Sequence, residues 1–265
     1  GLTSYLWDFC VGDIESNNIN LVSQTLSGVL TGYGYKLVEE DGIFYSFVIS
    51  RGNNSFFRVT HGSSPNTIES VENLGDLGVL SNPEGLDIQK IDDEWYGVVG
   101  SLNSNADIIR IDFPDGLDGT VNGTSLGTFG SPDRKRNVEL FEINDDLYLV
   151  FSGYNNNRLV VIEYGSSFDN VILAGDIYSH AIPNMNLITG FDIQDLGDII
   201  IHAVSRDNTN VVRLNFVNNL TNTPTLEATY SLGSLSSSIR VELIREGSKY
   251  YGVVGSETIG SLMFD

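Results

Sequence analysis

Five positions in this 265-residue chain combine a chemically capable side chain with regular spacing: Lys36, Asp87, Glu139, Asp192 and Glu242. Each lies inside an apolar-polar-apolar triplet. The triplets are Tyr35-Lys36-Leu37, Leu86-Asp87-Ile88, Val138-Glu139-Leu140, Phe191-Asp192-Ile193 and Val241-Glu242-Leu243. Four carboxylates and one ammonium gathered around a common centre could hold a cation or bind a polar ligand. They could also supply the acid and base of glycosidic-bond hydrolysis, which needs two carboxyl groups about 5 to 9.5 Å apart. A plainer role competes with these. A polar residue repeated in every unit can simply serve the unit, by pairing with backbone amides or with Arg58, Arg110 and Arg213. A catalytic site should break the repeat, and among the five positions only Lys36 does.

The elements that must carry these residues also repeat. After each triplet comes a second strand, opening at Phe44-Tyr45, Trp95-Tyr96, Leu147-Tyr148, Ile199-Ile200 and Tyr250-Tyr251, so the unit recurs every 51 or 52 residues. Short strands at a period of about 50 residues indicate a β-propeller, and no window shows the i, i+3, i+4, i+7 pattern of a helical solenoid. A third strand is read at Phe56–Thr60, Ile108–Asp112, Leu159–Glu163 and Val211–Asn215. A weaker fourth is read at Ser70–Leu74, Thr124–Phe129, Val171–Ala174 and Ala228–Leu232. The expected fold is all-β, a single five-bladed β-propeller over residues 1–265 with four-stranded blades. Blades one to four span residues 35–80, 86–130, 138–180 and 190–233. The fifth, 239–265, lacks a fourth strand, which residues 1–34 provide through Asn20–Leu26. Joining first and last strands in one blade would hide the free sheet edges. Both ends also carry a strand of the third type, so Tyr5–Phe9 or Leu262–Asp265 is left for self-association by strand addition. All six prolines fall between the assigned strands, as proline's missing donor requires.

Two loop features face the same rim of such a ring. The hairpins between second and third strands are Asn-rich, with Asn105 and Asn156 as examples. Asn tolerates the left-handed turns needed there, and its amide could also line a sugar-binding rim. Asp133-Arg134-Lys135-Arg136-Asn137 puts three of only 14 basic residues in one loop, either as a solvated turn or as a contact for an anionic partner. Arg134, Lys135, Arg136, Asn105 and Asn156 are therefore candidate contacts for a glycan or protein. Trp95 and its equivalents are expected to pack between blades.

Composition excludes more than it selects. A net charge of −21 argues against nucleic acid and anionic membranes, because counterion release needs a basic surface. No run approaches the ~18 apolar residues of a membrane span. Cys10 is alone, so no disulfide forms within one chain, and it is expected to be a small buried hydrophobe. His61, His180 and His202 lack metal-ligand spacing, and no calcium loop, P-loop, dinucleotide fingerprint or Gly-x-Ser-x-Gly occurs. No metal or cofactor is expected. The chain begins at Gly1 without Met or a signal peptide and reads as a mature or excised segment.

Glu94-Trp95-Tyr96-Gly97-Val98-Val99, and Arg213-Leu214-Asn215-Phe216 with Leu220-Thr221-Asn222-Thr223-Pro224-Thr225, resemble a known repeat. It is that of propellers in large secreted surface proteins of Bacteroidota, which often also carry PKD modules, and in phages of those hosts. Blades three and four depart from it at Asp145-Asp146-Leu147-Tyr148 and Gly197-Asp198-Ile199-Ile200. The resemblance implies a non-enzymatic extracellular or cell-surface module for binding, adhesion or assembly, with no catalytic residues to carry over. A structural subunit of a fibre or virion is one alternative. Another is a carbohydrate-active enzyme using Asp87, Glu139 and Asp192.

Overall fold

The computed structural model describes residues 5–6, 22–23, 26–103, 107–129, 134–207, 210–231, 238–246, 249–256 and 261–264. Regular structure among them is strand throughout, apart from one 3-10 turn at Ala174–Asp176. Strands β1 (Tyr5–Leu6) and β2 (Val22–Ser23) pair antiparallel with each other. The first blade is β3 (Gly32–Glu40), β4 (Ile43–Ser50), β5 (Ser55–Gly62) and β6 (Ser70–Asn73). The second is β7 (Pro83–Ile91), β8 (Glu94–Ser101), β9 (Ile108–Phe113) and β10 (Asn122–Gly127). The third is β11 (Lys135–Ile143), β12 (Asp146–Gly153), β13 (Arg158–Gly165) and β14 (Ile177–Ala181). The fourth is β15 (Ile188–Asp195), β16 (Ile199–Ser205), β17 (Asn210–Asn215) and β18 (Thr225–Ser231), and the fifth is β19 (Ser238–Glu246), β20 (Lys249–Ser256) and β21 (Ser261–Phe264). Each sheet keeps its strands in chain order, and the chain is an all-β, five-bladed β-propeller.

The chain divides into two compact units. Residues 1–99 with 109–125 contain the first blade and most of the second, and residues 100–108 with 126–265 contain the last three together with the end residues of β8, β9 and β10.

Turn chemistry sets the meanders. The hairpins from first to second strand are two residues long in the first three blades: Asp41-Gly42, Asp92-Asp93 and Asn144-Asp145. All six residues have positive φ, between 50° and 79°. That is the turn whose twist matches the flanking strands, and only Gly, Asn and Asp enter it at low cost. Between turns, alternate residues fill the space between neighbouring blades. In the first unit Phe47 and Ile49 of β4 pack with Leu86 and Ile88 of β7, and Phe47 sits edge-on to Phe113 at 5.1 Å. In the second, Tyr148 and Val150 of β12 pack against Phe191 and Ile193 of β15, while Val204 and Val211 on the other face of blade four meet Val241 and Val254.

Several boundaries differ from expectation. The fourth strand of blade three is Ile177–Ala181, not 171–174. Val171 and Leu173 are exposed and lead into the 3-10 turn, where the Asp176 carboxylate accepts from the Leu173 amide. Pro83 opens β7, the strand position where a missing donor costs least. Leu262–Phe264 pair with β20. Most of the segments assigned to sealing and self-association, Asn20–Leu26 and Tyr5–Phe9, lie outside the described residues, as do Cys10 and Asp265.

Candidate functional site

The five repeated polar positions all fall on first strands, β3, β7, β11, β15 and β19, with unequal surroundings. In the first unit, Lys36 Nζ meets Asp87 Oδ1 at 2.6 Å, and Gln89 donates to Asp87 Oδ2 at 3.1 Å. Asp87 is 2% exposed, and both of its oxygens are engaged. It is an anchored carboxylate whose charge Lys36 compensates, poorly placed to exchange a proton with a ligand.

In the second unit the carboxylates are more open. Glu139 and Asp192 are half-buried at equivalent positions of neighbouring first strands, and Asn137 ties those strands together. Its Nδ2 donates to Glu139 Oε1 at 3.1 Å and to the Phe191 carbonyl at 2.8 Å, the residue before Asp192. Asn137 is 2% exposed, so both bonds are shielded from water. Glu242 is exposed and paired with Arg240 at 3.6 Å. The third-strand arginines have carboxylate partners outside this row. Arg58 donates to Glu72 at 2.6 Å and to the carbonyls of Leu117 and Gly119. Arg110 pairs with Asp112 at 2.6 Å, and Arg213 with Glu227 at 2.8 Å.

The basic loop also reads differently. Lys135 and Arg136 open β11 and are buried, at 0% and 8% exposure, with Lys135 over the Phe151 ring at 5.6 Å and Arg136 over Tyr154 at 4.4 Å. Their stems pack as apolar bodies while the cationic heads face aromatic rings, so neither offers a loop-face contact. Arg134 and Asn156 are exposed, and Asn105 lies outside the described residues. Trp95 does pack between blades, donating from Nε1 to Glu40 Oε1 at 2.6 Å. Among the described residues no cluster of three or more His, Cys, Asp or Glu could hold a metal ion, and no helix is long and apolar enough to cross a membrane.

Two residues near these carboxylates were not singled out from sequence. Asn137 reads from sequence as the end of the basic loop, but it lies in β11. His202 stands directly across the ladder from Asp192, with Arg213 on its other side. Its signal was available, because the same position of the second strand is Phe47, Val98, Val150 and Val253 elsewhere. Burial, with Arg213 beside it, pushes the imidazole down to about 4.

No protein-family model and no curated protein matches the chain. Solved structures do. A thermostable family-43 glycoside hydrolase superposes with a TM-score of 0.60 at 13% identity, over 89% of each chain. An exo-β-1,3-galactanase from Phanerochaete chrysosporium gives 0.59 at 14%, over 85% of this chain and 56% of that one. A β-xylosidase/α-arabinofuranosidase from a compost metagenome gives 0.58 at 11%, over 88% and 90%. At these identities the likeness is one of fold. It bears out the propeller but not a kinship with Bacteroidota surface proteins or phages. It also corrects the expectation of a non-enzymatic adhesion module, since these neighbours are glycoside hydrolases.

Proposed function

We propose that the protein is a glycoside hydrolase, with Glu139 and Asp192 as its acid-base pair. The observation that carries this reading is the Asn137 bridge. One buried amide orients the Glu139 carboxylate and fixes the strand that bears Asp192. Glycosidic cleavage needs two carboxyl groups held in fixed relation. One protonates the leaving oxygen, and the other attacks the anomeric carbon or activates water against it. Asp87, with both oxygens engaged, serves as scaffold. The fold neighbours, which include a xylosidase, an arabinofuranosidase and a galactanase, suggest the substrate class: xylosides, arabinofuranosides or galactosides. An acidic, Asn-rich chain suits an extracellular setting for that task.

The test is turnover of aryl α-L-arabinofuranoside, β-D-xyloside and β-D-galactoside. Glu139→Gln and Asp192→Asn should each lower turnover of an accepted glycoside by about 10²- to 10⁴-fold, the usual contribution of one acid-base group. No turnover of any glycoside by the unaltered protein, or undiminished turnover in both variants, would refute the reading.

A further inference from the structure

The first blade carries a polar chain that the repeat does not require. The Tyr35 hydroxyl lies 3.1 Å from Ser46 Oγ, and Ser46 Oγ lies 2.7 Å from His61 Nε2. His61 Nδ1 is in close contact with the Thr67 carbonyl. Ser46 and His61 are each 2% exposed, whereas Tyr35, at 38%, reaches solvent. The three residues occupy repeat positions filled elsewhere by Leu86, Gly97 and Phe113, by Val138, Leu149 and Tyr164, or by Phe191, Ile201 and Phe216. Three contacting polar substitutions in one blade, where ordinary packing uses mainly apolar residues, are not explained by folding alone. Burying unpaired polar groups costs stability, so the chain must be complete to be tolerated.

Local structure aims it. Tyr45 pairs with Thr60 but Phe44 pairs with Gly62, so His61 is the extra residue of a bulge, a device that redirects a side chain. The following loop folds back, with Thr67 Oγ1 donating to the His61 carbonyl at 2.5 Å and to the Ser64 carbonyl at 3.0 Å. That holds the Thr67 carbonyl against Nδ1. A carbonyl only accepts, so Nδ1 carries a proton, and in the neutral imidazole Nε2 is the lone pair facing Ser46. In that tautomer Ser46 donates to Nε2 and accepts from the Tyr35 hydroxyl, whereas with its proton turned away from Nε2 it donates to Tyr35.

We propose that Tyr35, Ser46 and His61 form a proton relay that makes the partly buried phenol of Tyr35 a reactive group, with the buried imidazole as its base, toward acyl esters. The arrangement is that of a nucleophile, a base and a group orienting the base, with one hydroxyl inserted. Ser46 itself is covered, so Tyr35 makes the contact with the ligand. In acyl transfer, Tyr35 Oη bonds to the acyl carbon while the bond to the leaving alkoxide breaks. The Tyr35 proton passes to Ser46 Oγ, and the Ser46 proton passes to His61 Nε2. Burial raises the Tyr35 phenol above its usual range, so at neutral pH it keeps its proton and needs a base to release it. The proposal does not depend on the proposed hydrolase carboxylates.

The probe is 4-nitrophenyl acetate, with acetyl-tyrosine located by peptide mass spectrometry. Tyr33, two residues away with its hydroxyl accepting from Arg51 at 2.6 Å, is the internal reference. Tyr35 should be acetylated faster than Tyr33. Ser46→Ala should slow Tyr35 by about 10²-fold and leave Tyr33 unchanged, with circular dichroism confirming the fold. Equal Tyr35 rates in the folded variant and the unaltered protein would overturn the proposal. Should the variant not fold, nitrogen NMR of the unaltered protein decides: a proton on Nδ1 of His61 supports the relay, and a proton on Nε2 overturns it.

Discussion

His202 makes acid stability readable. Its imidazole is 6% exposed, faces Tyr230 at 6.5 Å between ring centroids, and stands beside the Arg213 guanidinium. Burial and that charge lower its proton affinity from the ordinary 6.5 to about 4, against a smaller opposing pull from Glu227. Between those values the unfolded chain binds a proton that the folded chain does not. The folded state is therefore undiminished above pH 6.5 and loses stability as pH falls towards 4, below which the loss levels off. Linkage gives a loss of about 2 kcal/mol between pH 7 and pH 5 and about 3 kcal/mol by pH 4. Val is the natural replacement, because three other blades carry Val98, Val150 and Val253 at this position. Urea unfolding of the unaltered protein and His202→Val, followed by circular dichroism at pH 7 and pH 5, isolates the effect. The 35 acidic residues titrate in both proteins, and their contribution cancels in the comparison. The unaltered protein should lose about 2 kcal/mol more than the variant over that interval. An identical pH dependence in the two proteins would mean that His202 is not held neutral by its surroundings.

The other expectations concern single groups. Lys36→Met leaves the buried Asp87 carboxylate without its cation and should cost about 2 kcal/mol in urea unfolding, less than a fully buried pair because Lys36 is 34% exposed. Adding Asp87→Asn should recover most of that loss, and strictly additive costs would show that the two groups are not coupled. Tyr148 is pushed up to about 12, chiefly by burial and then by the Glu163 carboxylate near its hydroxyl. Spectrophotometric titration should reveal a phenol ionising near that value. Its folded affinity for the proton exceeds the unfolded one, so its contribution to stability is full below pH 10 and declines between 10 and 12. A Tyr148→Phe variant with an unchanged titration curve would contradict the assignment.

Much of the architecture was legible because it rests on local rules. Strand alternation, and the Asp-Gly, Asp-Asp and Asn-Asp turns with positive φ, are properties of neighbouring residues, and their repetition identified five similar sheets. The exceptions were also local in cause. Residues 171–174 look like a strand by composition, but Val171 and Leu173 are exposed and the pairing with β13 begins only at Ile177. For Lys135 and Arg136, charge suggested a solvated loop. Phe151 and Tyr154, neighbours that only the folded sheet supplies, make burial acceptable.

The candidate chemistry divides along the same line. From spacing alone, Lys36, Asp87, Glu139, Asp192 and Glu242 are interchangeable members of one row, because a repeat assigns each the same place on its strand. Their differences come from contacts between residues distant in the chain: Lys36 neutralising Asp87, Asn137 reaching the Phe191 carbonyl, and Arg240 pairing with an exposed Glu242. Tyr35, Ser46 and His61 are scattered polar residues in one dimension and a connected chain in three. The residue types and their period determined that this protein is a propeller. Which of its polar groups are spent on holding the blades, and which remain to meet a ligand, was decided by tertiary packing, because desolvation and hydrogen-bond distance are not properties of a residue's place in the chain.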